Sequence, residues 1–190
     1  MKIVIGMNGA TGIIYGIRLL QVLSDMKNVE THLIISPAGE QIIELETEFK
    51  ANTIKALANF RYRIDDIGAG LASGSFQHDG MIVAPCSMKT LSALAHAYAD
   101  NLLTRAADVT LKERRRLLLL VRETPLHVGH LRNMVSVTEM GAIVMPPVPA
   151  FYHKPQTIQD LIDHMIGKAL DLFGIEHDLY TRWPGTGASL

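Results

Sequence analysis

The sequence predicts an α/β fold with a doubly wound, mainly parallel sheet in a single domain. Short apolar runs alternate along the chain with longer segments in which apolar residues recur at helical spacing. The runs hold few polar residues, which is typical of strands covered on both faces of a sheet. Alternation of such strands with helices favours parallel β-α-β crossovers, as in flavodoxin-like and Rossmann-like folds. A length of 190 residues suits one domain, since a domain commonly takes about 100–200 residues.

The apolar runs predict strands at residues 3–7, 29–36, 80–87, 117–123 and 142–147. Helices are predicted at residues 11–26, around 42–45, around 54–57, and at 89–98, 102–115, 125–141 and 157–174. The last helix carries its apolar residues on one stripe, so it is predicted to pack that stripe against the core. One domain is therefore expected over residues 1–183, with a flexible tail over residues 184–190.

Composition and charge exclude several classes of function. The formal net charge is −1 and neither half of the chain is basic, so nucleic acid is not expected as a partner. The longest strictly apolar runs, such as residues 117–121, fall far below the roughly 20 residues of a membrane span. Cys86 is the only cysteine, so an internal disulfide is impossible. A cytoplasmic protein with no membrane partner is expected.

The residues after three of the predicted strands are suited to binding a phosphate. Parallel sheets bind ligands beyond the carboxyl ends of their strands, where helix N-termini and backbone N–H groups converge. The candidates are Gly9, Ala10 and Thr11 after the first strand, Ser36 after the second, and Ser87, Met88, Lys89 and Thr90 after the third. Serine and threonine also cap helices where no ligand binds, so capping alone is the alternative at each loop. Three such loops at one edge favour a ligand.

The glycine spacing disfavours a dinucleotide such as NAD. A dinucleotide-binding loop has the pattern G-x-G-x-x-G, and an acidic residue ends the second strand. Here Gly6 and Gly9 stand one residue too far apart, and Ser36 occupies the place of the acidic residue. Because a hydroxyl suits a phosphate better than a ribose diol, the loops favour a mononucleotide such as FMN.

Basic residues form a second candidate anion site. Arg105, Asp108 and Lys112 share one face of a predicted helix. Arg122 ends the fourth predicted strand, at the ligand-binding edge of the sheet. For the helix, a solvated and salt-bridged face is the alternative to an anion site.

Two further motifs are assigned structural roles. His127 and His130 form an H-x-x-H pair, and two histidines alone are a weak metal signal, so capping and packing are expected. Cys86 follows a buried strand and is expected to be an inert thiol. No metal is therefore expected.

Five stretches of the sequence together resemble one known family. They are GMNGATGIIYG, SPAGEQIIELET, the segment from SGSFQHDG to KERRRL, VRETPLHVGHLRNM and MPPVPAFYHKPQT. The family is that of the UbiX flavin prenyltransferases, which includes proteins named as components of phenolic, or hydroxyarylic, acid decarboxylases. The likeness extends from residue 2 to about Trp183. The combination of motifs is specific, although NGATG alone is not.

The resemblance implies an enzyme that acts on FMN and dimethylallyl phosphate. In the family, the dimethylallyl group is joined to N5 of reduced FMN and a ring then closes at C6, without a metal. The product, prenylated FMN, is the cofactor of UbiD-type decarboxylases of aromatic acids. The resemblance also implies a flavodoxin-like or Rossmann-like fold and a homo-oligomer, expected to be a dodecamer with sites between subunits.

The functional positions of the family fall on residues of this chain. FMN contacts are implied for Gly9, Ala10, Thr11, Ser36, Ser87, Met88, Lys89, Thr90 and Arg122. Contacts to dimethylallyl phosphate are implied for Tyr152, Lys168, Arg105 and Lys112. Glu46 and Glu123 match acidic residues near the reacting centre, and Glu123 is the expected base for the C6 proton. Trp183 matches an aromatic residue that closes over the prenyl group.

Two other functions are compatible with the sequence. One is an FMN-dependent decarboxylase of cysteine-type substrates, which the residues PCSMKT and MPPVPAFYH disfavour because that group carries an Asn-rich loop and a P-x-M-N motif there. The other is an FMN-binding, non-catalytic subunit of a hydroxyarylic acid decarboxylase. Supplying ready-made prenylated FMN to the decarboxylase distinguishes a synthase from such a subunit.

Overall fold

The fold is built on one parallel sheet of six strands. A computed structural model describes residues 1–183 and residue 185, so the predicted tail at 184–190 lies outside the described residues except for Gly185. The strands are β1 (Lys2–Met7), β2 (Glu30–Ile35), β3 (Phe60–Tyr62), β4 (Gly80–Cys86), β5 (Arg116–Val121) and β6 (Ile143–Val144). Their order across the sheet is β3-β2-β1-β4-β5-β6. The predicted α/β fold is confirmed.

Helices follow the strands along the chain. They are α1 (Ile13–Ser24), α2 (Pro37–Glu46), α3 (Ala51–Lys55), α4 (Met88–Ala95), α5 (Leu102–Lys112), α6 (Val128–Glu139) and α7 (Ile158–Leu172), with a 3-10 turn at Gly70–Ala72. Helix α2 begins earlier than predicted because Ser36 caps it and Pro37 stands at its first position, where a missing N–H does no harm. Among the described residues, no helix combines the length and the apolar character needed to cross a membrane.

Strand β3 is absent from the sequence prediction. It has only three residues, and Phe60 and Arg61 are exposed, so it produces no apolar run. With β3 at the edge, the strand order is the Rossmann order. Without β3, the remaining strands have the flavodoxin order. The short edge strand therefore decides between the two fold types that the sequence left open.

Burial explains why the central strands were recognisable in the sequence. All seven residues of β4 are buried, and β1 and β5 each expose only their first residue. Cys86, the last residue of β4, is fully buried, and burial raises the pKa of its thiol to about 12. The expected inert thiol is consistent with this environment, because the thiolate is the reactive form.

The chain divides into two compact units. Met1–Pro146 contains the whole sheet, and the second unit begins at Pro147 and contains α7. In the second unit, Thr157 and Asp160 cap the start of α7 reciprocally through their side chains. The predicted amphipathic stripe of this helix is buried from Ile162 onward, whereas Ile158 at its start is exposed. The single domain over residues 1–183 stays a prediction.

Replacing Gly16 by alanine is expected to destabilise the protein, because α1 packs directly on the backbone of β4. A Cβ atom at Gly16 would lie 2.2 Å from the carbonyl oxygen of Ala84 and 2.9 Å from Cε of Met7. The clash should lower the free energy of unfolding by about 1–3 kcal/mol. Urea unfolding measures it. Gly68→Ala is the matched control, since its Cβ would meet only Asp66 at 3.6 Å. Equal stability of the two variants would contradict the close packing of α1.

Candidate functional site

A cavity of about 830 Å³ lies at the carboxyl ends of β1, β2 and β4. The strand order reverses between β1 and β4, and open α/β sheets bind their ligands at such a reversal. Residues of the three predicted loops line the cavity, including Asn8, Gly9, Ser36, Ser87, Lys89 and Thr90. Among the other predicted FMN contacts, Ala10, Thr11, Met88 and Arg122 are not part of this lining.

Ser36 and Ser87 cap helices and line the cavity at the same time. The Oγ of Ser36 accepts a hydrogen bond from the backbone N–H of Gly39 at 3.1 Å. The Oγ of Ser87 accepts one from the backbone N–H of Thr90 at 3.4 Å. A capping hydroxyl uses an oxygen lone pair and keeps its hydrogen to donate. Capping and ligand binding, which were alternatives in the sequence, are therefore compatible at Ser36. The Ser87 hydroxyl donates to Oγ1 of Thr90 at 3.3 Å, and it would exchange that long bond for one to a ligand.

Asn8 joins the first and third loops, and it was not among the residues predicted from the sequence. Its side chain is 3% exposed, and Oδ1 accepts a hydrogen bond from the backbone N–H of Ser87 at 2.8 Å. Because Oδ1 is occupied in this way, Nδ2 must be the donor, and it is buried without a partner. An amide directly after an apolar strand was the available signal, but it does not reveal contact with Ser87.

The glycine loop after β1 lies against the start of α2. A Cβ atom at Gly9 would lie 2.5 Å from Cβ of Ala38, so only glycine fits here without a shift. Thr11, expected at the helix start, is not the cap of α1. Gly12 holds that position with φ of 85°, in the left-handed region that glycine adopts most readily.

Glu46 caps α1 from the end of another helix. Its Oε2 accepts hydrogen bonds from the backbone N–H groups of Gly12 at 2.9 Å and Ile13 at 3.3 Å. A carboxylate is favoured at a helix N-terminus because the helix dipole is positive there. Glu46 thus has a clear structural contact, while its predicted place near the reacting centre stays a prediction.

The basic face of α5 is paired internally. Arg105 donates from Nε to the carbonyl oxygen of Ala72 at 3.1 Å and forms an ion pair with Asp108 at 2.6 Å. Lys112 is exposed and forms an ion pair with Glu113. Neither basic residue lines the 830 Å³ cavity, although Lys112 lines a separate cavity of about 400 Å³. The salt-bridged face is confirmed for Arg105, and phosphate binding by these residues stays a prediction.

Arg122 and Glu123 directly follow β5. The backbone N–H of Arg122 donates to the carbonyl oxygen of Cys86 at 3.1 Å, which continues the pairing with β4. The carboxylate of Glu123 is exposed and accepts a hydrogen bond from the backbone N–H of Thr124 at 3.1 Å. The predicted base therefore stands in solvent in the single chain.

His127 caps α6, as the sequence predicted. Its Nδ1 accepts a hydrogen bond from the backbone N–H of Gly129 at 3.0 Å. The rings of His127 and His130 are in contact, with centroids 3.6 Å apart and an interplanar angle of 32°, which is the expected packing. Within residues 1–183 and 185, no group of three or more histidine, cysteine or acidic side chains is arranged to hold a metal ion.

The second unit brings together two of the remaining predicted residues. The rings of Tyr152 and Trp183 lie edge to face with centroids 6.0 Å apart. Arg182, next to Trp183, pairs with Asp171 of α7 at 2.6 Å, which holds Arg182 against that helix. Lys168 lies on the exposed side of α7.

The cavity fits an anionic mononucleotide. Two serine hydroxyls, Thr90 and the Lys89 ammonium supply phosphate donors beside the N-termini of α2 and α4. Ile64 and Leu103 contribute apolar lining for a planar ring. The volume falls within the usual range of small-molecule sites, about 300–1,000 Å³. The unpartnered Nδ2 of Asn8 is a buried polar group that the rest of the chain leaves unsatisfied.

Comparisons with known proteins agree with this geometry. Residues 1–170 match the Flavoprotein family. The chain is 54% identical over 186 residues to flavin prenyltransferase UbiX of Escherichia coli (strain K12), covering 97% of this chain and 98% of that protein. The crystal structure of AnUbiX in complex with FMN and dimethylallyl pyrophosphate has a TM-score of 0.95 and 51% identity, with 97% of each chain covered. A dodecameric FMN-dependent UbiX-like decarboxylase from Escherichia coli O157:H7 has a TM-score of 0.95 and 50% identity, covering 97% of this chain and 100% of that one.

Replacing Glu46 by alanine is expected to weaken α1, because its first two backbone N–H groups lose their acceptor. Loss of a helix cap typically lowers the free energy of unfolding by about 1 kcal/mol. Urea unfolding measures the change. Glu48→Ala is the matched control, since Glu48 is exposed two positions away and contacts neither N–H group. If both variants kept wild-type stability, the capping role of Glu46 would be wrong.

Proposed function

Since this chain belongs to the Flavoprotein family and, within it, to the UbiX flavin prenyltransferases, we propose that it joins the dimethylallyl group of dimethylallyl phosphate to reduced FMN. The product is prenylated FMN, the cofactor of UbiD-type decarboxylases of aromatic acids. The observation that carries this proposal is the cavity at the strand-order reversal, with its serine caps and Lys89. A mononucleotide phosphate is the anion that suits this set of donors.

Different residues of the chain contribute to binding FMN in different ways. Ser36, Ser87 and Lys89 hold the FMN phosphate, and Gly9 lets the backbone approach it closely. Arg122, at the end of β5, adds a positive charge at the same edge of the sheet. When bound, reduced FMN supplies N5 and C6 as the positions that receive the prenyl carbons.

The transfer itself requires charge stabilisation and proton transfers that balance: the N5 proton would be released as the N5–C bond forms, and ring closure would add a proton to the middle allyl carbon and remove the one on C6. The departing phosphate gains negative charge as the allylic C–O bond breaks, and Arg105, Lys112 and Lys168 stabilise it as a metal ion would elsewhere. The face of the Trp183 ring stabilises the positive charge that develops on the allyl group. Glu123 then takes the proton from C6 as ring closure completes.

We also propose that the working enzyme is a homo-oligomer, and specifically a dodecamer. The similar UbiX-like decarboxylase from Escherichia coli O157:H7 is dodecameric. Helix α6 exposes an apolar stripe of Val128, Leu131 and Val135, whose side chains are 60%, 48% and 56% exposed. Such a stripe is typical of a surface that another subunit covers. Assembly is also expected to bring the basic face of α5 and Glu123 to a neighbouring subunit's cavity.

The remaining partner and location follow from the product. Prenylated FMN has to reach a UbiD-type decarboxylase, which makes that enzyme the functional partner. A cytoplasmic location fits this exchange between two enzymes. The alternative of a non-catalytic, FMN-carrying subunit predicts FMN binding without any change in the flavin.

Purified protein incubated with reduced FMN and dimethylallyl phosphate is expected to yield a flavin heavier by one prenyl unit. Mass spectrometry of the released flavin measures the product. Unchanged FMN, with the flavin confirmed as reduced and bound, would contradict the transferase and support the non-catalytic subunit. A parallel incubation with dimethylallyl diphosphate shows which donor the protein uses.

Replacing Glu123 by glutamine is expected to slow formation of the closed ring by about 10²–10⁴-fold, the usual contribution of a general base. FMN affinity should stay at the wild-type value. Single-turnover absorbance spectra with reduced FMN and dimethylallyl phosphate separate bond formation from ring closure. Glu176→Gln is the control, because Glu176 is exposed and lies in the second unit. If the Glu123 variant closed the ring at the wild-type rate, Glu123 would not be the base.

Replacing Val135 by aspartate is expected to break the assembly into smaller species, because an unpaired charge would be buried in the interface. Size-exclusion chromatography with light scattering measures the mass. Lys27→Asp, an exposed position before β2 and outside α6, should leave the mass unchanged. An unaltered mass in the Val135 variant would contradict the role of the stripe.

A further inference from the structure

A buried histidine contacts the hydroxyl of Tyr152 in the second unit. Nε2 of His164 and the hydroxyl oxygen of Tyr152 are 2.7 Å apart, which is a strong hydrogen bond. His164 lies on α7 and is 6% exposed, whereas Tyr152 is 47% exposed. The histidine is therefore inside the unit, and the tyrosine presents its ring and hydroxyl toward the surface.

The direction of this hydrogen bond follows from the other ring nitrogen. Nδ1 of His164 is buried and has no partner. If the tyrosine donated, neutral His164 would carry its hydrogen on Nδ1, leaving a buried N–H without an acceptor. If Nε2 donates, Nδ1 is only an unused acceptor, which is the less costly defect. The favoured arrangement has Nε2–H donating to the Tyr152 oxygen.

The surroundings keep His164 neutral and hold its ring in place. Burial lowers the pKa of His164, the nearby charges of His153 and Lys168 lower it further, and Asp171 opposes them. The His153 ring stacks on His164 with centroids 4.6 Å apart and an interplanar angle of 6°. The Tyr180 ring packs at 4.7 Å. A ring clamped in this way holds Nε2 at one position relative to Tyr152.

We propose that His164 is a positioning residue that makes Tyr152 a hydrogen-bond donor to the substrate phosphate. A tyrosine hydroxyl has one hydrogen, and when its oxygen accepts from Nε2–H that hydrogen is free for another acceptor. The hydrogen bond from His164 also polarises the hydroxyl and strengthens its donation. The inference rests on the proposed function, in which Tyr152 contacts dimethylallyl phosphate.

The hydrogen bond from His164 to Tyr152 is expected to affect the rate of the chemical step more than the affinity for flavin. As the allylic C–O bond breaks, charge accumulates on the phosphate oxygens, so a hydrogen bond from Tyr152 becomes stronger in the transition state. No proton has to leave Tyr152 for this. His164 acts only through Tyr152 and touches neither substrate.

Three variants of the full chain test the inference by steady-state kinetics with reduced FMN and dimethylallyl phosphate. His164→Leu removes the donor, and we expect kcat/KM for dimethylallyl phosphate to fall about 10-fold, the value of one hydrogen bond to a charged group. Tyr152→Phe should lose a similar factor, and the double variant should lose no more than Tyr152→Phe alone. His164→Gln offers an amide N–H near the position of Nε2 and should recover most of the loss.

The matched control is His177→Leu. His177 also lies in the second unit, and its Nε2 pairs with Asp171 at 3.1 Å instead of with Tyr152. We expect it to change thermal stability without changing kcat/KM for dimethylallyl phosphate. FMN affinity, measured by fluorescence titration, should be the same in the wild type and in all His164 variants.

The outcomes separate this inference from the proposed function. A wild-type protein that leaves FMN unchanged contradicts the proposed function. If the wild type is active, three results contradict the inference alone. They are wild-type kinetics in His164→Leu, multiplicative losses in the double variant, and no recovery in His164→Gln. If His164→Leu fails to fold, solid-state NMR of the wild type with isotope-labelled histidine decides. A neutral ring protonated on Nε2 supports the inference, and one protonated on Nδ1 overturns it.

Discussion

The hydrogen bond from the backbone N–H of Ser87 to Oδ1 of Asn8 joins the two loops between which the cavity opens. Asn8 follows β1 and Ser87 follows β4, the neighbouring strands at which the order of the sheet reverses. Because Asn8 is buried, water does not compete for this bond. With the loops held at this separation, Gly9 packs on Ala38 at the start of α2 and Ser87 starts α4 at the cavity wall.

Three of the helices that begin at this edge, α1, α2 and α4, have caps that differ in charge. The N-terminus of α1 is occupied by the carboxylate of Glu46, whereas α2 and α4 are capped by the neutral hydroxyls of Ser36 and Ser87. The Glu46 carboxylate would repel a phosphate near the N-terminus of α1. At the N-termini of α2 and α4 no carboxylate offsets the positive end of the helix dipole, and the Lys89 ammonium adds a further positive charge. The internal pairing of charges therefore directs an anion to α2 and α4.

The second unit uses its polar side chains to hold aromatic rings. Asp171 binds Arg182 and Tyr180, and His164 binds Tyr152, so Tyr152 before α7 and Tyr180 after it in the chain are both hydrogen-bonded to that helix. Burial and the hydrogen bond to Asp171 raise the pKa of Tyr180 to about 12, and the Asp171 pKa is lowered chiefly by Arg182. Among the described residues Tyr152 has no such acidic partner, and its hydroxyl is paired with His164 instead.

The sequence alone determined the central strands, since burial on both faces leaves continuous apolar runs, and the glycines and hydroxyls marked the loops that line the cavity. Tertiary structure decided the edge strand and the contacts between distant loops. Strand β3 is an exposed edge without an apolar pattern, and the bonds from Ser87 to Asn8 and from Gly12 to Glu46 join residues 79 and 34 positions apart. No local pattern encodes such pairs, because they form only where packing brings two loop ends to the same edge of the sheet.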